Sequence, residues 1–82
     1  MEVFESYSYK EYFKKIPLPI KDKTIKKIKQ LKGSFSAVMV RPVKGYDDTY
    51  YCQIDNEYSF VFLLNGQSYI LLSVGKNSED LI

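Results

Sequence analysis

The sequence predicts a small α+β fold in which two helices pack on one face of an antiparallel sheet. Between Tyr9 and Leu31, apolar side chains recur at helical spacing. From Asp48 onward, the runs TYYCQI, EYSFVFLL and SYILLSV are rich in aromatic and branched residues, which is typical of strands. Asn65-Gly66 between the last two runs predicts a hairpin, because both residues accept the positive φ of a type I′ turn.

The front of the chain predicts a short strand over residues 2–6, followed by two helices. Ser8-Tyr9-Lys10-Glu11 has the pattern of a capping box, so the first helix is expected to begin there and to end at Pro17. Pro19 suits the first position of the second helix, and Gly33 is a plausible stop. With 82 residues, the chain has room for one domain, residues 1–82.

The later segments differ in how clearly they can be interpreted. The stretch SFSAVMVRPVKG is predicted only as extended or irregular, with Pro42 beyond a strand end or on a sheet edge. FVFLL and YILLSV are apolar at successive positions, which predicts central strands of the sheet. Cys52 should share one face of its strand with Tyr50 and Ile54, and we expect it to be buried.

Charge is distributed very unevenly along the chain. Residues 1–45 hold eleven of the twelve Lys and Arg but only four of the ten acids. If this part forms the helices, a polyanion would approach the helices first; the alternative is a lysine face that only meets solvent. The candidates for contact with an RNA or DNA backbone are four lysines of the second predicted helix: Lys23, Lys26, Lys27 and Lys29.

Composition excludes several classes of protein. One cysteine and no histidine leave no internal disulfide and no structural zinc site, and we expect no metal and no cofactor. The longest apolar run, residues 60–64, is far below the ~20 residues that span a bilayer, and the N-terminus lacks the apolar stretch of a secretory signal. We therefore expect a cytoplasmic protein with no membrane partner.

In their order and spacing, these features resemble the RelE/ParE superfamily of bacterial toxins. Val43-Lys44-Gly45 resembles that family's Leu-Arg/Lys-Gly element, residues 58–62 its Tyr-Arg strand, and Ser73-Val74-Gly75-Lys76 its last apolar strand. YKEYFKKIP and the lysine-rich segment after it are similar to its two-helix hairpin. The resemblance covers nearly the whole chain. It implies a RelE-like fold and a type II toxin that cuts messenger RNA on the ribosome, silenced by a cognate antitoxin protein.

Several positions depart from the family's pattern. Cleavage of RNA through its 2′-hydroxyl needs a base, an acid and cations that hold the charge on the phosphate. Where the family carries basic residues, this chain has Gln53, Ser59 and Asn77, and the closing aromatic of the tail falls at Leu81 or Ile82. None of these residues supplies positive charge, and serine, glutamine and asparagine are not practical acids or bases at neutral pH.

The resemblance leaves Lys76, Glu57 and Lys44 as candidate catalytic residues. The two lysines would contact phosphate and the glutamate would act as a base; the alternatives are ordinary solvated residues of a strand end, a turn and a loop. Arg41 is a candidate for binding backbone phosphates, and Tyr51 for stacking on a base of single-stranded RNA.

Three functions remain open from the sequence. The first is a toxin-like RNA endonuclease, with weak activity or an altered set of catalytic residues. The second is a binding module of the same fold that acts through protein contacts, as a ParE-like inhibitor of DNA gyrase or a mobile-element inhibitor. The third is a scaffold domain of the same shape with no relation to toxins.

Overall fold

A computed structural model describes residues 2–33 and 39–77 of the chain. The predicted order of strand, two helices and sheet is confirmed. Residues 34–38, part of the stretch predicted as extended or irregular, and the tail positions Leu81 and Ile82 lie outside the described residues. The elements are β1 (Glu2–Glu5), α1 (Tyr7–Lys15), α2 (Leu18–Gly33), β2 (Val40–Pro42), β3 (Thr49–Gln53), β4 (Tyr58–Asn65) and β5 (Ser68–Lys76).

The strands form one mixed sheet in the order β1-β5-β4-β3-β2. β2 to β5 are antiparallel neighbours, and β1 joins the other edge parallel to β5, with Val3 opposite Tyr69. Pro42 ends the edge strand β2, where its missing N–H is tolerated. Neither helix of the described ranges has the length and apolar content needed to cross a bilayer.

One sheet face carries the core. Cys52 lies opposite Phe60, and both side chains are fully buried together with Phe62. Tyr9 of α1 and Leu31 of α2 pack into the same cluster. Burying each such large apolar side chain contributes about 1.5–3 kcal/mol, so this face holds the helices on the sheet. The predictions of helices on one sheet face and of a buried Cys52 are confirmed.

The first helix begins earlier than the sequence predicted. Ser6, not Ser8, is the N-cap, and its side chain accepts a hydrogen bond from Tyr9 N at 3.1 Å. The capping box at Ser8 is therefore wrong, and Glu11 instead pairs with Lys14 at 3.0 Å. The reason lies in the sheet: Ser6 N donates to Leu71 O, which keeps Ser6 in the extended conformation that an N-cap needs. The predicted end of this helix before Pro17 is confirmed.

The second helix and the hairpin also differ in detail. α2 begins at Leu18, so Pro19 occupies the second helical position, where its N–H is not required either. The hairpin is confirmed, but Asn65 pairs with Ser68, which leaves Gly66 and Gln67 as its central residues. Of the turn residues only Gly66 has a positive φ, 62°, which matches a type II′ turn rather than the predicted type I′.

Candidate nucleic-acid interface

A cleft of about 950 Å³ opens at the β2 side of the sheet. Tyr51 and Gln53 alternate with buried Cys52 along β3, so they occupy the sheet face opposite the helices. Ser59 lies opposite Gln53 on β4, and Arg41 lies opposite Tyr51 on β2. These four residues line the cleft, so the sheet face opposite the helices forms part of its lining.

Three cations line the cleft and come from three different segments. Lys27 comes from α2, Arg41 from β2, and Lys44 from the loop after β2. We call these three residues the cationic wall. The ion pairs that the structure shows within residues 2–33 and 39–77 involve Lys14 and Lys23 instead. No carboxylate of those ranges therefore forms an ion pair with the cationic wall, although Asp55 also lines the cleft.

Three neutral polar side chains, Gln53, Ser59 and Asn77, also line the cleft. Ser59, which is only 1% exposed, donates its hydroxyl hydrogen to Asn77 Oδ1. Asn77 Nδ2 donates to Asn56 O at 3.1 Å, and Asn77 N donates to Glu57 O at 2.8 Å. These bonds tie the end of β5 to the turn between β3 and β4. We call Gln53, Ser59 and Asn77 the neutral side of the cleft; all three are positions where the resemblance led us to look for basic residues.

Asp55 organises the turn between β3 and β4. Its Oδ1 accepts hydrogen bonds from Glu57 N at 2.8 Å and Tyr58 N at 2.9 Å, while Lys23 Nζ lies 4.0 Å from its Oδ2. This turn carries Asn56, which holds the Asn77 side chain. Sequence reasoning missed Asp55, although an aspartate that opens a short turn between two strands is a recognisable signal for such bonds.

Several solved structures have an architecture similar to that of this chain. The chain matches the RelB-RelE antitoxin-toxin complex from Methanococcus jannaschii with a TM-score of 0.77 and 21% identity, over 89% of this chain and 88% of that one. It matches the intact E. coli RelBE toxin-antitoxin complex with a TM-score of 0.76 and 17% identity, over 95% and 98%. For the YoeB/ParE toxin from Agrobacterium tumefaciens the values are 0.75 and 19%, over 94% and 99%.

This chain has the RelE-like fold. The expected architecture of the RelE/ParE toxin superfamily is therefore confirmed from structure. No family model and no curated protein matches the sequence.

The RelE-like fold brings together four of the residues that the sequence singled out. Lys27, Arg41, Lys44 and Tyr51 all line the cleft. Lys27 and Tyr51 are half-buried, whereas Arg41 and Lys44 are exposed. Their grouping is a result of the fold, because they are spread over more than twenty residues of sequence.

Five other candidates do not line the cleft. Lys23 faces Asp55, Lys26 is exposed on α2, and Lys29 lines a separate groove between α1, α2 and β1. Glu57 contributes its carbonyl to Asn77, and its side chain is not part of the cleft lining. Lys76 lies at the end of β5, opposite Tyr58. Their predicted roles stay predictions.

The described residues offer neither a group of side chains for a metal ion nor a reactive cysteine. Within residues 2–33 and 39–77, no group of three or more His, Cys, Asp or Glu side chains could hold a metal ion. Burial raises the pKa of the Cys52 thiol, and the charge of nearby Lys27 lowers it by less. The thiol is therefore protonated at neutral pH and is a poor nucleophile.

Proposed function

We propose that residues 1–82 form one RelE-like domain that serves as the toxin-like component of a type II toxin–antitoxin pair. A cognate antitoxin protein would hold it silent in the cytoplasm. The fold shared with the toxins of the RelBE complexes supports this role. The observation that carries the proposal is the cationic wall, because three cations that form no ion pair with a carboxylate of the described ranges favour a polyanion such as messenger or ribosomal RNA.

The cleft suggests a role for each residue. Lys27, Arg41 and Lys44 would contact the phosphates, which position a strand without reading its sequence. Tyr51 would stack on a base, since aromatic side chains form the platforms of many single-strand binding sites. Lys44 is the one catalytic candidate of the sequence that reaches the cleft. Lys76 and Glu57 gain no support from its geometry.

Induced expression in a bacterial host tests this function. The unaltered chain should arrest growth, and co-expression of the antitoxin should restore it. Lys27→Ala and Lys44→Ala should each relieve the arrest, whereas Lys15→Ala, which removes an exposed lysine of α1 outside the cleft, should not. Protein levels must be matched by immunoblot. Normal growth at high levels of the unaltered soluble chain would contradict the proposal.

A second function is favoured by the neutral side of the cleft. Because Gln53, Ser59 and Asn77 bring no charge, a non-catalytic module of the same fold that acts through protein contacts is the main alternative. It would include a ParE-like gyrase inhibitor or an inhibitor from a mobile element. Growth arrest with intact messenger RNA would favour it, and loss of supercoiling by purified gyrase would identify the ParE-like form.

A further inference from the structure

We propose that the groove between α1, α2 and β1 binds a single-chain amphiphilic anion, such as a medium-chain fatty acid, with its carboxylate beside lysines of α2. This groove shares no lining residue with the cleft at the β2 side of the sheet, and its volume is about 590 Å³. Small-molecule sites typically occupy ~300–1,000 Å³, so the volume suits one such ligand. Binding there would be independent of the toxin-like function.

The groove has an apolar lining that reaches the core. Tyr9 of α1 and Leu71 of β5 are part of this lining, and each is only 1% exposed. Val3 of β1, Phe13 of α1 and Ile28 of α2 also line the groove and are half-buried. An alkyl chain that packs against these side chains leaves water, and each buried methylene strengthens binding about fourfold.

One face of α2 combines the apolar and the cationic parts of the groove. Ile25, Ile28, Lys29 and Lys32 all line it, at positions i, i+3, i+4 and i+7 of the helix. Ile25 is 44% exposed, so an alkyl chain would cover apolar surface that now meets water. The two isoleucines come first and the two lysines follow, over roughly 10 Å of helix. This face therefore orients an amphiphile, with its chain toward Ile25 and its head toward Lys32.

The charges of the groove favour an anionic head. Lys10 of α1 lines it together with the two lysines of α2, and Glu5 of β1 is the one carboxylate among the described residues of the lining. The three lysines take part in neither of the ion pairs that the structure shows within residues 2–33 and 39–77, which involve Lys14 and Lys23. A carboxylate head can therefore accept hydrogen bonds from lysine ammonium groups without breaking either pair.

Isothermal titration calorimetry of the purified chain with decanoate tests the site. We expect saturable binding of a single decanoate, about fourfold tighter for each methylene added from octanoate onward. Lys29→Glu combined with Lys32→Glu should weaken binding at least about tenfold, because repulsion replaces attraction. Ile25→Ala should weaken it about fivefold through lost apolar contact. Lys15→Ala and Leu18→Ala change exposed helix residues outside the groove and should stay within about twofold.

Two further ligands decide between the possible occupants. Decyltrimethylammonium has the same alkyl chain with a cationic head, and it should bind at least about tenfold more weakly than decanoate. Equal binding of the two ligands, non-saturable binding, or no binding of decanoate would overturn the proposal. Binding of an acidic amphipathic helical peptide in place of decanoate would also overturn it, and would make the groove a docking surface for a protein. Growth arrest by the unaltered chain tests the toxin-like function separately.

Discussion

The hydrogen bond between Ser59 and Asn77 can be measured by a double-mutant cycle. Ser59→Ala removes a hydroxyl that is 1% exposed and leaves Asn77 Oδ1 without its donor. A neutral hydrogen bond contributes about 0.5–1.5 kcal/mol, and a buried group left unsatisfied costs about 1–3 kcal/mol. Asn77 is half-buried, so water can replace part of the loss. We expect Ser59→Ala to lower the free energy of unfolding by about 1–2 kcal/mol.

Asn77→Ala should have a similar effect, because it also removes the bond from Nδ2 to Asn56 O at 3.1 Å. The double variant should lose less than the sum of the single losses, with a coupling energy of about 0.5–1.5 kcal/mol. Urea denaturation measures each value, and for a chain of this size 1 kcal/mol lowers the midpoint by roughly 1 M. Thermal unfolding gives an independent measurement, because the melting temperature should fall by about 4–8 °C for each kcal/mol lost.

Ser73→Ala is the matched control for this cycle. Ser73 is a half-buried serine of β5 that lies opposite Val61, away from Asn77. Its substitution should change the free energy of unfolding by no more than about 0.5 kcal/mol, and its effect should add to that of Asn77→Ala. A coupling below about 0.3 kcal/mol between Ser59 and Asn77 would show that the two side chains do not bond in solution, and the account of the neutral side would then be wrong.

Three further predictions concern the turn, the thiol and high pH. Gly66→Ala should lower the free energy of unfolding by about 1 kcal/mol, because the φ of Gly66 is 62°, which alanine adopts only with strain. Gly33→Ala is the control: no atom lies within 4 Å of the new Cβ, so thermal unfolding should show a neutral or stabilising effect. Cys52 should resist a thiol reagent at neutral pH until denaturant unfolds the chain. Burial and the charge of Glu5 raise the pKa of Tyr9 above its ordinary 10.0, so the folded state keeps the proton that the unfolded state releases. The contribution of Tyr9 to the free energy of unfolding is thus fully present below pH ~10 and falls by about 1.4 kcal/mol per pH unit above it. In urea denaturation at a series of pH values, Tyr9→Phe should remove this part of the loss of stability at high pH.

The fold could be predicted from the sequence because its strongest signals are local. The apolar strand runs, the hairpin glycine and the proline between the helices each fix an element without reference to the rest of the chain. The errors have a different origin. Ser6 became the helix cap because its amide bonds to Leu71 in a distant strand. The hairpin turn moved by one residue because the pairing of β4 with β5 sets which residues remain unpaired.

The candidate site was only partly predictable, for the same reason. Lys27, Arg41 and Lys44 could be named from residue type and resemblance, but their meeting in one cleft depends on how α2 and β2 pack at the sheet edge. Asp55 was missed because its function is to accept backbone hydrogen bonds within a turn. Glu57 was a candidate base because of its place in the sequence; its backbone carbonyl accepts a hydrogen bond from Asn77 N, and the role of its carboxylate stays a prediction.

The lysines of α2 show why charge counted along a chain is a poor guide to a binding surface. From the sequence, four of them were predicted to face a polyanion together, but in the fold they lie in different places. Lys27 reaches the cleft, Lys23 lies against Asp55, and Lys29 lines the groove beside β1. An electrostatic effect on a ligand in the cleft decays over the Debye length of about 8 Å at physiological salt. The more remote lysines can therefore speed the approach of a polyanion, but a ligand held in the cleft should depend on Lys27 far more than on Lys29.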